Sequence, residues 1–150
     1  MYSIPKVQVI LAKEGRIKME QRPVIYSPED VHQVMMKVCE DLCEERVFVI
    51  CLSTKNRINA IAEVSIGTLG ASMMCPREVF RPAILANAAS IILCHNHPSG
   101  DPTPSKEDVE VTRQLIAAGK MMAIPVLDSI IVGDSRCESL RATNYSMWEG

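Results

Sequence analysis

Between residues 88 and 108 the chain allows very few local structures. A compact, mainly apolar run over 88–94 leads into His95-Asn96-His97-Pro98. A turn-forming stretch with three prolines and one glycine follows, and then Ser105-Lys106-Glu107-Asp108. The apolar run is far short of the ~20 residues a membrane-spanning helix needs, and its length suits a buried strand. Ser105 followed three residues later by Asp108 is a helix-start signal. A buried strand that turns directly into a capped helix needs helices packed on a sheet.

The flanking sequence repeats that grammar. Ser27-Pro28-Glu29-Asp30 starts a helix that the apolar spacing carries to Leu42 or Cys43. The Val/Phe/Ile-rich run over 46–53, the turn 54–57 and the run 58–66 predict a hairpin. A loop is expected over 67–74, then a helix over 76–88 with Pro82 in its second turn. The strand over 90–97 leads to a helix from Ser105 to about Ala118, stopped by Gly119. A strand over 124–132 follows, with a short one near 139–141. Upstream, alternation around Val7, Val9 and Leu11, the break at Glu14-Gly15, and Ile17 and Met19 predict a short β-hairpin, making residues 1–26 an extension. The expected fold class is α/β, a mixed sheet sandwiched by helices.

The 150 residues suffice for one domain with its own core, and the hydrophobic and charged fractions, 47% and 23%, are those of a soluble globular chain. A net charge of −2 argues against strong nucleic-acid binding, which needs a basic face. Aromatic residues, at 4%, leave few platforms for stacking bases. Residues 1–26 carry a net +3 and the remainder −5, which a solvated hairpin face explains. The first ten residues lack the apolar region of a secretory signal, so a cytoplasmic, reducing setting with six free thiols is expected. Cys39 and Cys43, four apart on a predicted helix, and the nine methionines are expected to be core filler. No membrane partner is indicated. An exposed strand or Met-rich surface would support a homodimer, though no feature demands one.

On a strand, His95 and His97 point to the same face, so their rings can converge on one ion while Asn96 points away. A carboxylate from the first turn of the next helix, Asp108, can reach back over the strand end. Two imidazoles and a carboxylate suit Zn²⁺ and leave a fourth position for water, whose pKa zinc lowers from 15.7 to about 7. Spacing alone leaves a second reading open. Two histidines at a strand end can be polar surface, and Ser105 and Asp108 can form a capping box and nothing more. Capping and metal binding also compete for the Asp108 carboxylate. Asp101 is expected to be a turn residue before Pro102, although it is placed where a further ligand would be.

The stretch resembles the JAMM (MPN+) metalloprotease signature at His95, His97, Pro98, Ser105 and Asp108. With Asn96 and the following Pro-Ser-Gly-Asp-Pro it is similar to the RadC family. The resemblance spans roughly residues 27–141, through Thr54-Lys55-Asn56-Arg57, Gly67-Thr68-Leu69, the segment 76–80 and the segment 126–134. It implies a cytidine-deaminase-like (JAMM/MPN) fold over 27–150, one zinc ion held by His95, His97 and Asp108, and hydrolysis of peptide or isopeptide bonds in a peptide or protein substrate. It further implies that Ser105 holds the substrate carbonyl or oxyanion, and that a glutamate ahead of the first core strand, Glu45, is the general base. Glu63 is the next candidate. Asn96 stands where deubiquitinating members usually have Ser, which suggests a different substrate. Longer RadC proteins carry a helix–hairpin–helix region, in place of which the short hairpin is expected here. A non-catalytic accessory role in DNA repair or processing is the alternative. An intact ligand set argues against it, as does the charge balance. A nucleobase deaminase would need a His-x-Glu and a later Pro-Cys-x-x-Cys, and neither is present.

Overall fold

Three mainly apolar runs of seven residues form the middle of a sheet. These are β1 (Arg46–Leu52), β3 (Ser90–Asn96) and β4 (Val126–Val132). Almost every position in them is buried, as expected for strands covered on both faces. With β2 (Ile58–Ile66) and β5 (Cys137–Ser139) the order is β2-β1-β3-β4-β5. β3 and β4 are parallel, and the other neighbours are antiparallel. This computed structural model describes residues 1–150 apart from 2, 10, 13, 41 and 67–73. The expected loop over 67–74 therefore lies, except for Met74, outside the described residues.

Alternation along the strands divides the core in two. Val47, Val49, Ile91 and Leu93 face α2 (Pro76–Leu85) and α3 (Lys106–Met122), where Val79, Phe80, Val111 and Leu115 meet them. Phe48, Ile50, Ile92 and Cys94 face the opposite way onto Val31 and Met35 of α1 (Pro28–Val38). The parallel β3–β4 pair requires a crossover, and α3 provides it. Its N-terminus consequently stands over the C-terminal end of β3, where open α/β sheets place ligands.

Several boundaries differ from the sequence expectation. α1 ends at Val38, short of Leu42. Cys39 and Leu42 still pack on the core from the turn that follows, so apolar spacing could not mark the helix end. Cys43, expected in the core, is exposed. α3 runs past Gly119 to Met122 and closes at Ala123 in the left-handed conformation (φ 56°). Gly119 serves instead as a close-contact site. A Cβ there would lie 2.6 Å from the Ile124 carbonyl oxygen, and its own carbonyl accepts the Ile124 N–H at 3.0 Å. β5 spans 137–139 where a strand at 139–141 was expected, and a short helix, α4 (Leu140–Thr143), and a 3₁₀ turn, Tyr145–Trp148, complete the chain.

The N-terminal hairpin is not seen among the described residues. No described residue before Val24 lies in a strand, and Val7, Val9, Leu11 and Ile17 are exposed. A lone two-stranded ribbon with no surface to bury against is marginal in water, whatever its alternation. The chain joins the fold at residues 22–25. There Ile25 N–H donates to the Asn56 carbonyl, and Arg22 donates to the Ile58 carbonyl and the Asn59 side chain.

Candidate metal centre

β1 and β3 run antiparallel with Val47 opposite His95. Extending that register by two residues sets Glu45, just before β1, opposite His97. Glu45 and Val47 share a strand face with His95 and His97, so the Glu45 carboxylate is delivered to the histidine pair by pairing geometry alone. α3 contributes Asp108 from its first turn. Among the described residues, Glu45, His95, His97 and Asp108 form a group whose donor atoms all lie within 4.8 Å of one another.

Distances within the group are uneven in an informative way. His95 Nε2 lies 3.2 Å from His97 Nε2 and 3.2 Å from Asp108 Oδ1, and His97 Nε2 lies 3.6 Å from Asp108 Oδ2. Tetrahedral coordination at roughly 2.0–2.2 Å places neighbouring donors about 3.3–3.6 Å apart. The closest donor pairs among the two histidines and Asp108 fall in or near that range, Asp108 meeting His95 with Oδ1 and His97 with Oδ2. Glu45 Oε1 stands 3.8 Å from His95 Nε2 and 3.5 Å from His97 Nε2. The side chains of His95 and Asp108 are 0% and 2% exposed, against 17% for His97 and 15% for Glu45, so the first two form the floor and the second two the rim.

Hydrogen bonding orients the donors. His97 Nδ1 lies 2.8 Å from the Asp101 carbonyl oxygen, which can only accept. The ring therefore carries a proton on Nδ1, and Nε2 is the nitrogen turned into the site. The Asp101 side chain is a turn element: its Oδ1 accepts from the Thr103 N–H at 3.0 Å and hydroxyl at 2.6 Å. Asp101 thus holds a ligand through its backbone and is not itself in the group.

The competition expected at Asp108 is eased, because only one of its two oxygens caps the helix, although that oxygen also stands 3.6 Å from His97 Nε2. Oδ2 accepts the Ser105 N–H at 2.7 Å, while Oδ1 faces His95. Ser105 Oγ accepts the Asp108 N–H at 3.1 Å, completing the capping box. Burial pushes the Asp108 carboxyl up, but the hydrogen bond and charge of His95 and the bonds from Ser105 outweigh it and hold it below the ordinary aspartate range. Ser105 is exposed, and its own hydroxyl proton is left free to donate.

The other acids lie elsewhere. Arg46 binds Glu63 at 2.7 Å and approaches Glu44 at 4.0 Å, and Arg81 binds Glu78 at 3.1 Å. None of the three belongs to the group. Sequence reasoning missed two residues that build the site. One is the Asp101 carbonyl, which leaves no side-chain signal. The other is Asn96, whose signal was a carboxamide between two histidines on a buried strand.

A mixed α/β sheet with a two-histidine, two-carboxylate cluster at the end of its parallel strand pair defines a candidate metal-dependent domain. The model of the RadC-like JAB domain matches residues 25–145, and the chain belongs to that family. It is 51% identical over 125 residues to a UPF0758 protein of Caldanaerobacter subterraneus subsp. tengcongensis, covering 83% of this chain and 54% of that protein. It is 50% identical over 144 residues to a UPF0758 protein of Desulforamulus reducens, covering 93% and 63%. The archaeal UPF0758 protein of Methanosarcina barkeri is 45% identical over 126 residues, covering 84% and 55%. The chain thus spans little more than half the length of most of these relatives. No helix among the described residues is long and apolar enough to cross a membrane.

Proposed function

We propose that this chain is a zinc-dependent hydrolase domain that cleaves peptide or isopeptide bonds. One observation carries the proposal: His95, His97 and Asp108 bring donor atoms to 3.2–3.6 Å from one another, with a second carboxylate, Glu45, 3.5–3.8 Å from the two histidines. His95, His97 and Asp108 are the residues that would hold the ion. Zinc, when bound, supplies Lewis acidity and a water acidic enough to act at neutral pH. Glu45, on the rim, is suited to hold the proton of an attacking water on Oε1 and return it to the leaving amine nitrogen. The free Ser105 hydroxyl is suited to donate to the substrate carbonyl oxygen as negative charge develops there. The cytoplasmic setting belongs to this proposal, and with a net charge of −2 it includes no tight binding of duplex DNA by this chain.

The test is hydrolysis of a panel of fluorogenic peptides and lysine-linked isopeptides by zinc-loaded protein, with and without a chelator. Cleavage should stop on chelation and return when zinc is added back. Cleavage that survives chelation, or none in either state, would overturn the proposal.

A further inference from the structure

Glu45 lies outside the sheet. β1 begins at Arg46, and among the described residues no backbone–backbone hydrogen bond reaches Glu44 or Glu45. A base held only by a loose loop would sample many positions, yet the Glu45 side chain is 15% exposed and aimed at the histidines, while that of neighbouring Glu44 is 65% exposed. Asn96 accounts for the difference. Its Oδ1 accepts the Arg46 N–H at 2.8 Å, and its Nδ2 donates to the Glu44 carbonyl oxygen at 3.0 Å.

These two backbone groups flank Glu45, one on each side. A carboxamide offers one acceptor and donors on a planar frame, as a peptide unit does, so Asn96 continues the sheet one step beyond its last backbone bond. It fixes the peptide planes on both sides of Glu45 and thereby the direction of its Cα–Cβ bond. Asn96 is itself 5% exposed, and its carboxamide is satisfied at both ends. A serine hydroxyl at this position is a single atom and cannot span two groups one residue apart. Aspartate would turn an acceptor toward the Glu44 carbonyl.

We infer that Asn96 is a positioning residue for Glu45, acting through the Glu44 carbonyl and Arg46 amide and not through the metal. The inference rests on the zinc reading above and adds to it. Asn96 separates two ligands in sequence, so the strand that carries the metal donors also sets the base. The Ser-to-Asn difference from the deubiquitinating members thereby takes on a local role in holding Glu45.

The test is a double-mutant cycle read on zinc affinity and on amide exchange, so no substrate is required. A carboxylate held near the ion strengthens its binding by electrostatic attraction, and outer groups of this kind are commonly worth about tenfold in affinity. Asn96→Ala should weaken Zn²⁺ binding by about that factor with Glu45 present, and should change it less than twofold in a Glu45→Gln background. Equal weakening in both backgrounds, or none in either, would overturn the inference. Hydrogen exchange at the Arg46 amide should speed up at least tenfold in Asn96→Ala, and unchanged protection there would also overturn it. Asn96→Ser, which fills more of the space, carries the same comparison should the alanine variant fold poorly. If the wild-type chain bound no zinc, the hydrolase proposal would fall, and the Arg46 exchange rate alone would decide whether the clamp exists.

Discussion

Glutamine at position 45 leaves the zinc in place and lowers turnover by about 10²–10⁴-fold, the usual contribution of general acid–base catalysis. The substitution keeps size and hydrogen-bonding reach but removes the ability to take a proton. Zinc stoichiometry is retained because the three proposed ligands, His95, His97 and Asp108, are untouched. Glu63→Gln is the matched control. Its carboxylate is committed to Arg46 at 2.7 Å and is absent from the metal-ligating group, so only a partly exposed ion pair is lost. Such pairs are worth about 0–1 kcal/mol, and activity should stay near wild type. Measured at equal zinc content, an active Glu45→Gln beside a dead Glu63→Gln would reverse the assignment.

Asp108 should separate metal binding from folding. Asp108→Ala removes a metal donor and the acceptor of the Ser105 N–H together. Zinc should be lost, and the chain destabilised by about 1.5–3 kcal/mol, the range for a hydrogen bond to a charged group. Asp108→Asn keeps an amide oxygen for the Ser105 N–H, so most of that stability should return. Its neutral side chain is a poor substitute for an anionic ligand, and zinc affinity should still fall by more than about 100-fold, beyond the range of outer-group changes. Denaturant melts of the metal-free proteins and zinc titrations of both variants give the two readouts. Wild-type zinc affinity in Asp108→Asn would mean that Asp108 only caps α3.

Much of this site was legible in the sequence because its parts are local. His-x-His on a strand puts two rings on one face by backbone geometry, and Ser-x-x-Asp at a helix start has few other structures to adopt. The loop between them is marked by its three prolines and one glycine. Glu45 was harder, because its approach to His97 depends on β1 pairing with β3 across about 50 residues, and the sequence carries no direct record of register. The expected hairpin before residue 20 failed for the opposite reason. Alternation describes a strand that has something to cover, and those side chains are left in solvent. Gly119 misled because glycine marks both helix ends and close contacts, and here a neighbouring carbonyl, not the helix terminus, requires it. Asn96 appeared to be a residue pointing away from the chemistry. Its direction was inferred correctly, but what it would meet there depended on where β1 begins.

The central claim is that His95, His97 and Asp108 bind one zinc ion. Metal content of the purified chain, measured by atomic emission alongside a His95→Ala, His97→Ala double variant, tests it most directly. The wild-type protein should carry about one zinc per chain. The double variant should carry none while keeping its fold, since a core of this size does not depend on a metal. Full zinc occupancy in the double variant, or a wild-type chain that takes up no zinc when the metal is supplied, would contradict it.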